Sequence, residues 1–180
     1  MIIAKEKKKE NIIEYLLYMF QIENTLRALE FDPERIDRDL VSHYRQEEEV
    51  MNEIRDWYHH LVRMMHEEHL EKKGHLQYLK NTMNDLYALH KRLLQTPEES
   101  VYAEVYRQAV PDLQILEQKI NHPGAHDIET ALEGIYAYLL LNMKKEKISE
   151  ETRDAVGRIT RWLYLLGDKY KETEKGTREW

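Results

Sequence analysis

The chain has 180 residues, a formal net charge of −7 at pH 7 and no cysteine. The lack of cysteine excludes disulfides, zinc–thiolate sites and thiol chemistry. The acidic balance argues against a nucleic-acid partner, because nucleic-acid-binding proteins usually present a basic surface. Charged residues make up 34% of a sequence that has only six glycines and four prolines, which favours an almost entirely helical protein. The length fits one domain, which we assign to residues 1–180.

The first predicted helix covers residues 5–30 and contains the most apolar stretch of the chain, IIEYLLYMFQIE at residues 12–23. Apolar residues surround this helix almost completely, as is typical of a helix at the centre of a bundle. The stretch is too short to span a membrane, and Glu14 and Gln21 interrupt it. No secretory signal is recognisable at the start. The sequence therefore favours a cytoplasmic protein without a membrane partner.

Two charged residues interrupt the apolar face of this helix. Glu23 lies seven residues after Leu16 on the same face, and Arg27 follows Glu23 by one turn. One interpretation is an ion pair near an end of the bundle, from which Arg27 extends to solvent. The other is the polar floor of a ligand-binding pocket, because charges on a core face are either paired or functional. Both interpretations stay open at this point.

The next two predicted helices cover residues 33–44 and 46–69. Asp32 is a good N-cap residue, and Pro33 suits the first position of the short helix. Beyond the second helix, two lysines followed by Gly74 predict a helix C-terminus.

Residues 75–95 form the fourth predicted helix, with apolar residues at alternating steps of three and four. This spacing predicts a seam that packs against another helix. His90 occupies a seam position. A single histidine in such a seam is expected to be neutral and satisfied by one hydrogen bond, here to a tyrosine. Together with Glu23 and Arg27, His90 is also the third candidate for a polar pocket inside the bundle.

The fifth predicted helix covers residues 97–121, with Thr96 as N-cap, Glu99 closing a capping box and a kink or break at Pro111. Residues 121–124 form a strong stop signal.

Asp127 is predicted to cap a helix that runs to residue 147. The middle of this helix, residues 135–141, is again apolar nearly all round, which makes it a second central helix and a partner for the first. Ser149 caps the last helix, and residues 172–180 are expected to fray. Because the connections are short, we expect a compact antiparallel bundle of five to six helices.

Nine histidines suggest a metal site. His66 and His69, three residues apart, are the one candidate pair of ligands. The Glu-x-x-His motif of di-metal helical bundles is absent, and the His-Glu-x-x-His motif of zinc proteases is one residue short. Phosphate-binding glycine loops and serine elbows are absent as well. We therefore expect no metal and no cofactor, and the sequence favours a non-enzymatic protein.

Three segments resemble a bacterial protein family of about this length that is known only as a domain of unknown function. These segments are MIIAKEKKKENIIEYLLYMFQIE at the start, EKKGHLQYLKNTMNDLYALHKRLL in the middle, and AHDIETALEGIYAYLLLNMKKEKISEET towards the end. The resemblance covers nearly the whole chain. It implies an all-helical cytoplasmic protein and supplies no activity, cofactor or catalytic residue.

Two functional hypotheses follow from the sequence. The first is a non-enzymatic helical protein that binds itself or another protein, because apolar helix surface exceeds what a small domain needs. The alternative is a small-molecule binder or enzyme whose pocket inside the bundle contains Glu23, Arg27 and His90.

Overall fold

The computed structural model describes residues 2–120 and 124–176, and over these residues the chain is all-α, as predicted. The α-helices are α1 (Ile2–Glu10), α2 (Ile12–Ala28), α3 (Pro33–Asp39), α4 (Glu48–Glu67), α5 (Gln77–Gln95), α6 (Ser100–Lys119), α7 (Asp127–Met143) and α8 (Glu150–Glu174). The described residues thus hold eight α-helices, and the predicted count of five to six is wrong.

The first predicted helix, residues 5–30, is divided at Asn11, which adopts an extended backbone with φ −156°. Its side-chain oxygen accepts the backbone N–H of Ile13 at 2.9 Å and caps α2. Its amide nitrogen donates to the backbone oxygen of Tyr164 on α8 at 3.2 Å. The side chain lies so close to Gly167 that any larger residue there would clash with it. Asn11 therefore attaches the α1–α2 junction to α8, and this contact divides the predicted helix into α1 and α2.

The predicted helix at residues 33–44 is also shorter than expected. Asp32 caps it as predicted and accepts the Glu34 N–H at 2.8 Å. The regular helix ends at Asp39, and a 3₁₀ turn at Val41–His43 follows.

The predicted helix at residues 97–121 begins with a 3₁₀ turn, Pro97–Glu99, before α6. The capping box is wrong, because Thr96 makes no side-chain cap bond and the buried Glu99 carboxylate instead pairs with Lys169 of α8 at 3.0 Å. α6 is not broken at Pro111 and continues through it.

His126, rather than the predicted Asp127, is the N-cap of α7, and its Nδ1 accepts the Glu129 N–H at 3.3 Å. The Asp127 carboxylate instead accepts the hydroxyl of Tyr106. Residues 121–123 of the predicted stop lie outside the described residues.

Fraying of residues 172–180 stays a prediction; in the structure α8 is helical to Glu174. Ser149 caps α8 as predicted and accepts the Thr152 N–H at 3.2 Å. Residues 177–180 lie outside the described residues.

Helix α2 lies at the centre of the core and contacts α1, α7 and α8. The predicted pairing of the two most apolar helices is present, with the Phe20 and Tyr136 rings edge to face at 6.1 Å. The second half of α7 differs from the prediction. Its burial stops at Tyr136, and Ala137 to Met143 are exposed except for the half-buried Tyr138. A helix that is apolar all round is therefore covered over its first half only.

Candidate functional site

The segment between α4 and α5, residues 68–76, is called the α4–α5 loop. The sequence predicted a helix to residue 69 with a stop signal at Gly74, whereas α4 stops at Glu67. His69 takes a left-handed conformation with φ 55°, and the Leu70 N–H bonds back to the Met65 carbonyl at 2.8 Å. This pattern closes the helix. Gly74, with φ 93°, lies within the loop.

Arg27 of α2 binds this loop through its backbone. Its Nε donates to the Leu70 carbonyl at 2.9 Å, and its terminal nitrogens donate to the Gly74 carbonyl and to the Asn24 side chain. A planar guanidinium suits this role because it donates in several fixed directions at once. One α2 side chain thus fixes two points of the α4–α5 loop.

Glu23 of α2 is fully buried and reaches the end of the same loop. One carboxylate oxygen accepts the Leu76 N–H at 2.8 Å, and the other bonds to His75 Nδ1 at 2.5 Å. Leu76 precedes the first turn of α5, so the carboxylate also lies at the positive end of that helix. Phe20 stacks on the His75 ring at 3.6 Å between ring centres.

His75 bridges two acids. Its Nε2 lies 2.9 Å from the half-buried Glu133 carboxylate of α7, opposite the bond to Glu23. Burial acts to lower the pKa of His75, but hydrogen bonds and charge attraction from Glu133 and Glu23 outweigh it and raise the pKa to about 9. At neutral pH the ring is therefore an imidazolium that donates from both nitrogens.

This arrangement, which we call the Glu23–His75–Glu133 bridge, joins α2, the α4–α5 loop and α7. A charged imidazole with both nitrogens bonded to carboxylates has no lone pair for accepting a proton or a metal ion. The chemistry that the geometry supports is a buried ionic link, with Phe20 adding a cation–π contact.

His90 belongs to a separate cluster on α5. Its Nδ1 bonds to the Tyr102 hydroxyl at 2.6 Å, and that hydroxyl accepts the Trp162 indole N–H at 3.0 Å. Burial lowers the pKa of His90 to about 4, so the ring is neutral and Nδ1 accepts the tyrosine proton. The predicted hydrogen bond between His90 and a tyrosine is confirmed.

The three predicted pocket residues fall into two places. Glu23 and Arg27 both bind the α4–α5 loop. His90 lies fourteen residues beyond Leu76 along the same helix, which at the α-helical rise is about 21 Å. Ligand binding by these residues stays a prediction.

The predicted metal pair differs in geometry from two ligands on one helix. His66 lies in the last turn of α4 and bonds to Glu71 at 3.1 Å, whereas His69 lies beyond the helix end with φ 55°. Within residues 2–120 and 124–176, His, Asp and Glu side chains form no group of three that could hold a metal ion.

A groove of about 630 Å³ lies between α2, α7 and α8. The second half of α7 lines one side of it, and the salt bridge between Lys7 and Glu14, 3.1 Å long, lies among its polar lining groups. Leu139, Leu140 and Met143 line this side of the groove, and Leu141 lies beside it. We call these four residues the α7 surface; in chain order, 41%, 36%, 43% and 68% of their areas are exposed. These are four large apolar residues within five positions.

Sequence reasoning found Glu23 and Arg27 and missed His75 and Glu133. Glu133 offers a signal in retrospect, because it is an acid that interrupts the apolar helix predicted to pair with α2. An acid on each of two paired apolar helices needs a cation between them. His75 lies at the end of the α4–α5 loop beside Gly74, where the loop turns it towards both acids.

The part of the chain that the structure describes has no helix with the length and apolar character that crossing a membrane requires. No curated protein and no solved structure matches the sequence significantly. A family model described as "domain of unknown function (DUF4924)" matches residues 1–177. The chain therefore belongs to the DUF4924 family, a family of unknown function whose all-α architecture this structure describes.

Proposed function

We propose that this chain is a single-domain, non-enzymatic helical protein of the bacterial cytoplasm that works by associating with a second copy of itself. Cytoplasmic location and bacterial origin rest on the sequence and on the family resemblance. The single domain is supported by one continuous cluster of buried apolar residues to which all eight α-helices and the turn at Val41–His43 contribute.

The observation that carries the proposal is the α7 surface. Singly exposed apolar residues are common on proteins and need no explanation. Four adjacent ones at the end of one helix, bordering a groove, are typical of a binding surface. A surface of this kind is stabilised when a partner covers it.

The buried polar residues support the non-enzymatic part of the proposal. Glu23 and Arg27 bond to backbone groups of the α4–α5 loop, and His75 bonds to two carboxylates. Side chains engaged in this way hold helices together and leave no reactive group directed at a substrate.

The test is the oligomeric state of the purified protein, measured by size-exclusion chromatography with light scattering. We expect a dimer for the wild type. Leu140→Asp should weaken association on the order of tenfold or more, because it places an unpaired charge in the interface. Ile115→Asp, at an exposed apolar position on α6, is the matched control and should leave association unchanged. A wild type that stays monomeric at every concentration reached contradicts the proposal.

A second candidate is the binding of an apolar small molecule in the groove. Its volume of about 630 Å³ lies within the range of ligand sites, and most of its lining is apolar. The test is a thermal-shift screen, because a ligand of the folded state raises the unfolding midpoint. Thr160→Trp, on the α8 wall, should fill the groove and abolish such shifts. Ligand-induced shifts in a strictly monomeric wild type would favour this candidate over self-association.

A further inference from the structure

One face of α7 carries a graded pattern of charge. Glu133, Ala137, Leu140 and Lys144 are spaced by four, three and four residues, so they follow one face of the helix. We call these four residues the outer stripe. Glu133 is half-buried, and the other three are exposed. From Glu133 to Lys144, the C-cap of α7, the stripe is acidic, then apolar, then basic.

A stripe with this order is complementary to itself in one direction only. Parallel pairing of two copies would place Glu133 against Glu133 and Lys144 against Lys144. Antiparallel pairing places Lys144 of each copy against Glu133 of the other and brings Ala137 opposite Leu140. Like charges directly opposed across an interface are destabilising, whereas opposite charges fix the register.

We propose that two copies of this chain pair through antiparallel α7 helices, with the two-fold axis passing between Tyr138 and Leu139. This inference rests on the self-association proposed above and specifies its geometry. The same patch on both copies forms the contact, as a two-fold dimer requires. Ala137, with its small side chain, lets the two helices approach closely at the centre, and Leu140 and Leu141 cover the apolar area around it.

The bridge to His75 is compatible with this pairing. Glu133 uses Oε1 for His75 Nε2. The carboxylate is 38% exposed and so can also be approached by a lysine from outside. The dimer contact would then end at the same acid that links α7 to the α4–α5 loop inside each copy.

The proposed register gives distances that can be measured. About the axis, Ala137 of one copy is offset from Ala137 of the other by three residues, or about 4.5 Å along the helices. The two Lys144 residues are offset by eleven residues, or about 16.5 Å. With helix axes about 8–10 Å apart, the two Ala137 positions are near neighbours and the two Lys144 positions are not.

The absence of cysteine makes a cross-linking test direct. Ala137→Cys and Lys144→Cys each give a protein with a single thiol, which is treated with a short bismaleimide, and covalent dimer is followed on denaturing gels. Ile115→Cys on α6 is the control for random collision. Chromatography with light scattering establishes for each variant that a non-covalent dimer is present.

We expect Ala137→Cys to cross-link at least tenfold faster than Lys144→Cys, and Lys144→Cys to react no faster than Ile115→Cys. Equal, rapid cross-linking at residues 137 and 144 would indicate parallel helices. It would overturn the antiparallel register but not the proposed self-association. A dimer that links at neither position overturns the α7 contact itself. A wild type without any dimer overturns both this inference and the proposed function.

Discussion

The Glu23 carboxylate and the His75 imidazole lie 2.5 Å apart, both buried, and join the central helix α2 to the end of the α4–α5 loop. Glu133 completes the contact from α7 at 2.9 Å. Two helices and a loop that are far apart in the chain therefore meet at one charged ring. Since α7 also carries the proposed dimer contact, the bridge positions the helix on which the proposed function depends.

Removing His75 should destabilise the fold strongly. In His75→Ala, Glu23 keeps its bond to the Leu76 N–H but loses its cation while staying fully buried. Breaking a buried ion pair by removing one partner costs about 3–5 kcal/mol. We expect a loss of this size in urea unfolding at pH 7. The double variant that carries both His75→Ala and Glu23→Gln should lose much less unfolding free energy than the two single variants lose in sum, which would demonstrate coupling between the two residues. Additive losses would contradict the ionic link.

The bridge also predicts weaker folding at alkaline pH. The pKa of His75 is about 9 in the folded protein, against about 6.5 in an unfolded chain. The bound proton therefore stabilises the fold fully below about pH 6.5, and this stabilisation disappears as the pH rises through about 9. The expected loss between these values is about 3 kcal/mol.

The measurement for this prediction is the free energy of unfolding in urea across that pH range. Wild-type stability should fall towards pH 9, and His75→Gln should be less stable at pH 6 with a much flatter profile. Parallel pH profiles for the two proteins would show that His75 does not hold the proton.

His90 should control the acid side of the stability curve. Burial lowers its pKa to about 4, below the value of about 6.5 in the unfolded chain. The unfolded chain therefore takes up a proton first, and stability that is present above about pH 6.5 is lost as the pH falls through about 4, by about 3 kcal/mol. His90→Gln should flatten this part of the urea-unfolding profile. His60→Gln, at an exposed position on α4, should not.

Sequence periodicity located Glu23 and Arg27 because a charge on an apolar face is visible within one helix. It could not identify their partners, since His75 is 52 residues from Glu23 along the chain and nothing local pairs them. The break at Asn11 was missed for a related reason. The extended backbone of Asn11 is held by contacts with α8. Without those contacts, the sequence before and after Asn11 predicts one continuous helix. Burial of α7 beyond Tyr136 was overestimated because periodicity shows which residues are apolar and not where the neighbouring helices end.

Arg27 should control the order of the α4–α5 loop. Its guanidinium bonds to the carbonyls of Leu70 and Gly74, so Arg27→Gln should free the chain around Lys72 and Lys73. We expect trypsin to cut there at least tenfold faster in the variant, because loss of charged hydrogen bonds worth about 1.5–3 kcal/mol makes local opening more frequent. Arg35→Gln, which removes an exposed pair with Glu30, is the control. Equal cleavage rates in the two variants would contradict the role of Arg27 in holding the α4–α5 loop.

Substitution by alanine at two glycines of α8 should change the free energy of unfolding in opposite directions. Gly167 lies against Asn11, and an added methyl group would overlap the side chain that caps α2 and bonds to α8. Gly157, in the same helix, has open space where the methyl group would lie. We expect Gly167→Ala to lower the free energy of unfolding by about 1–3 kcal/mol through overpacking and loss of the cap. Gly157→Ala should raise it by about 0.5–1 kcal/mol, because alanine favours the helix. Chemical denaturation of both variants gives the two signs, and a stabilised Gly167→Ala protein would show that Asn11 does not anchor the α1–α2 junction against α8.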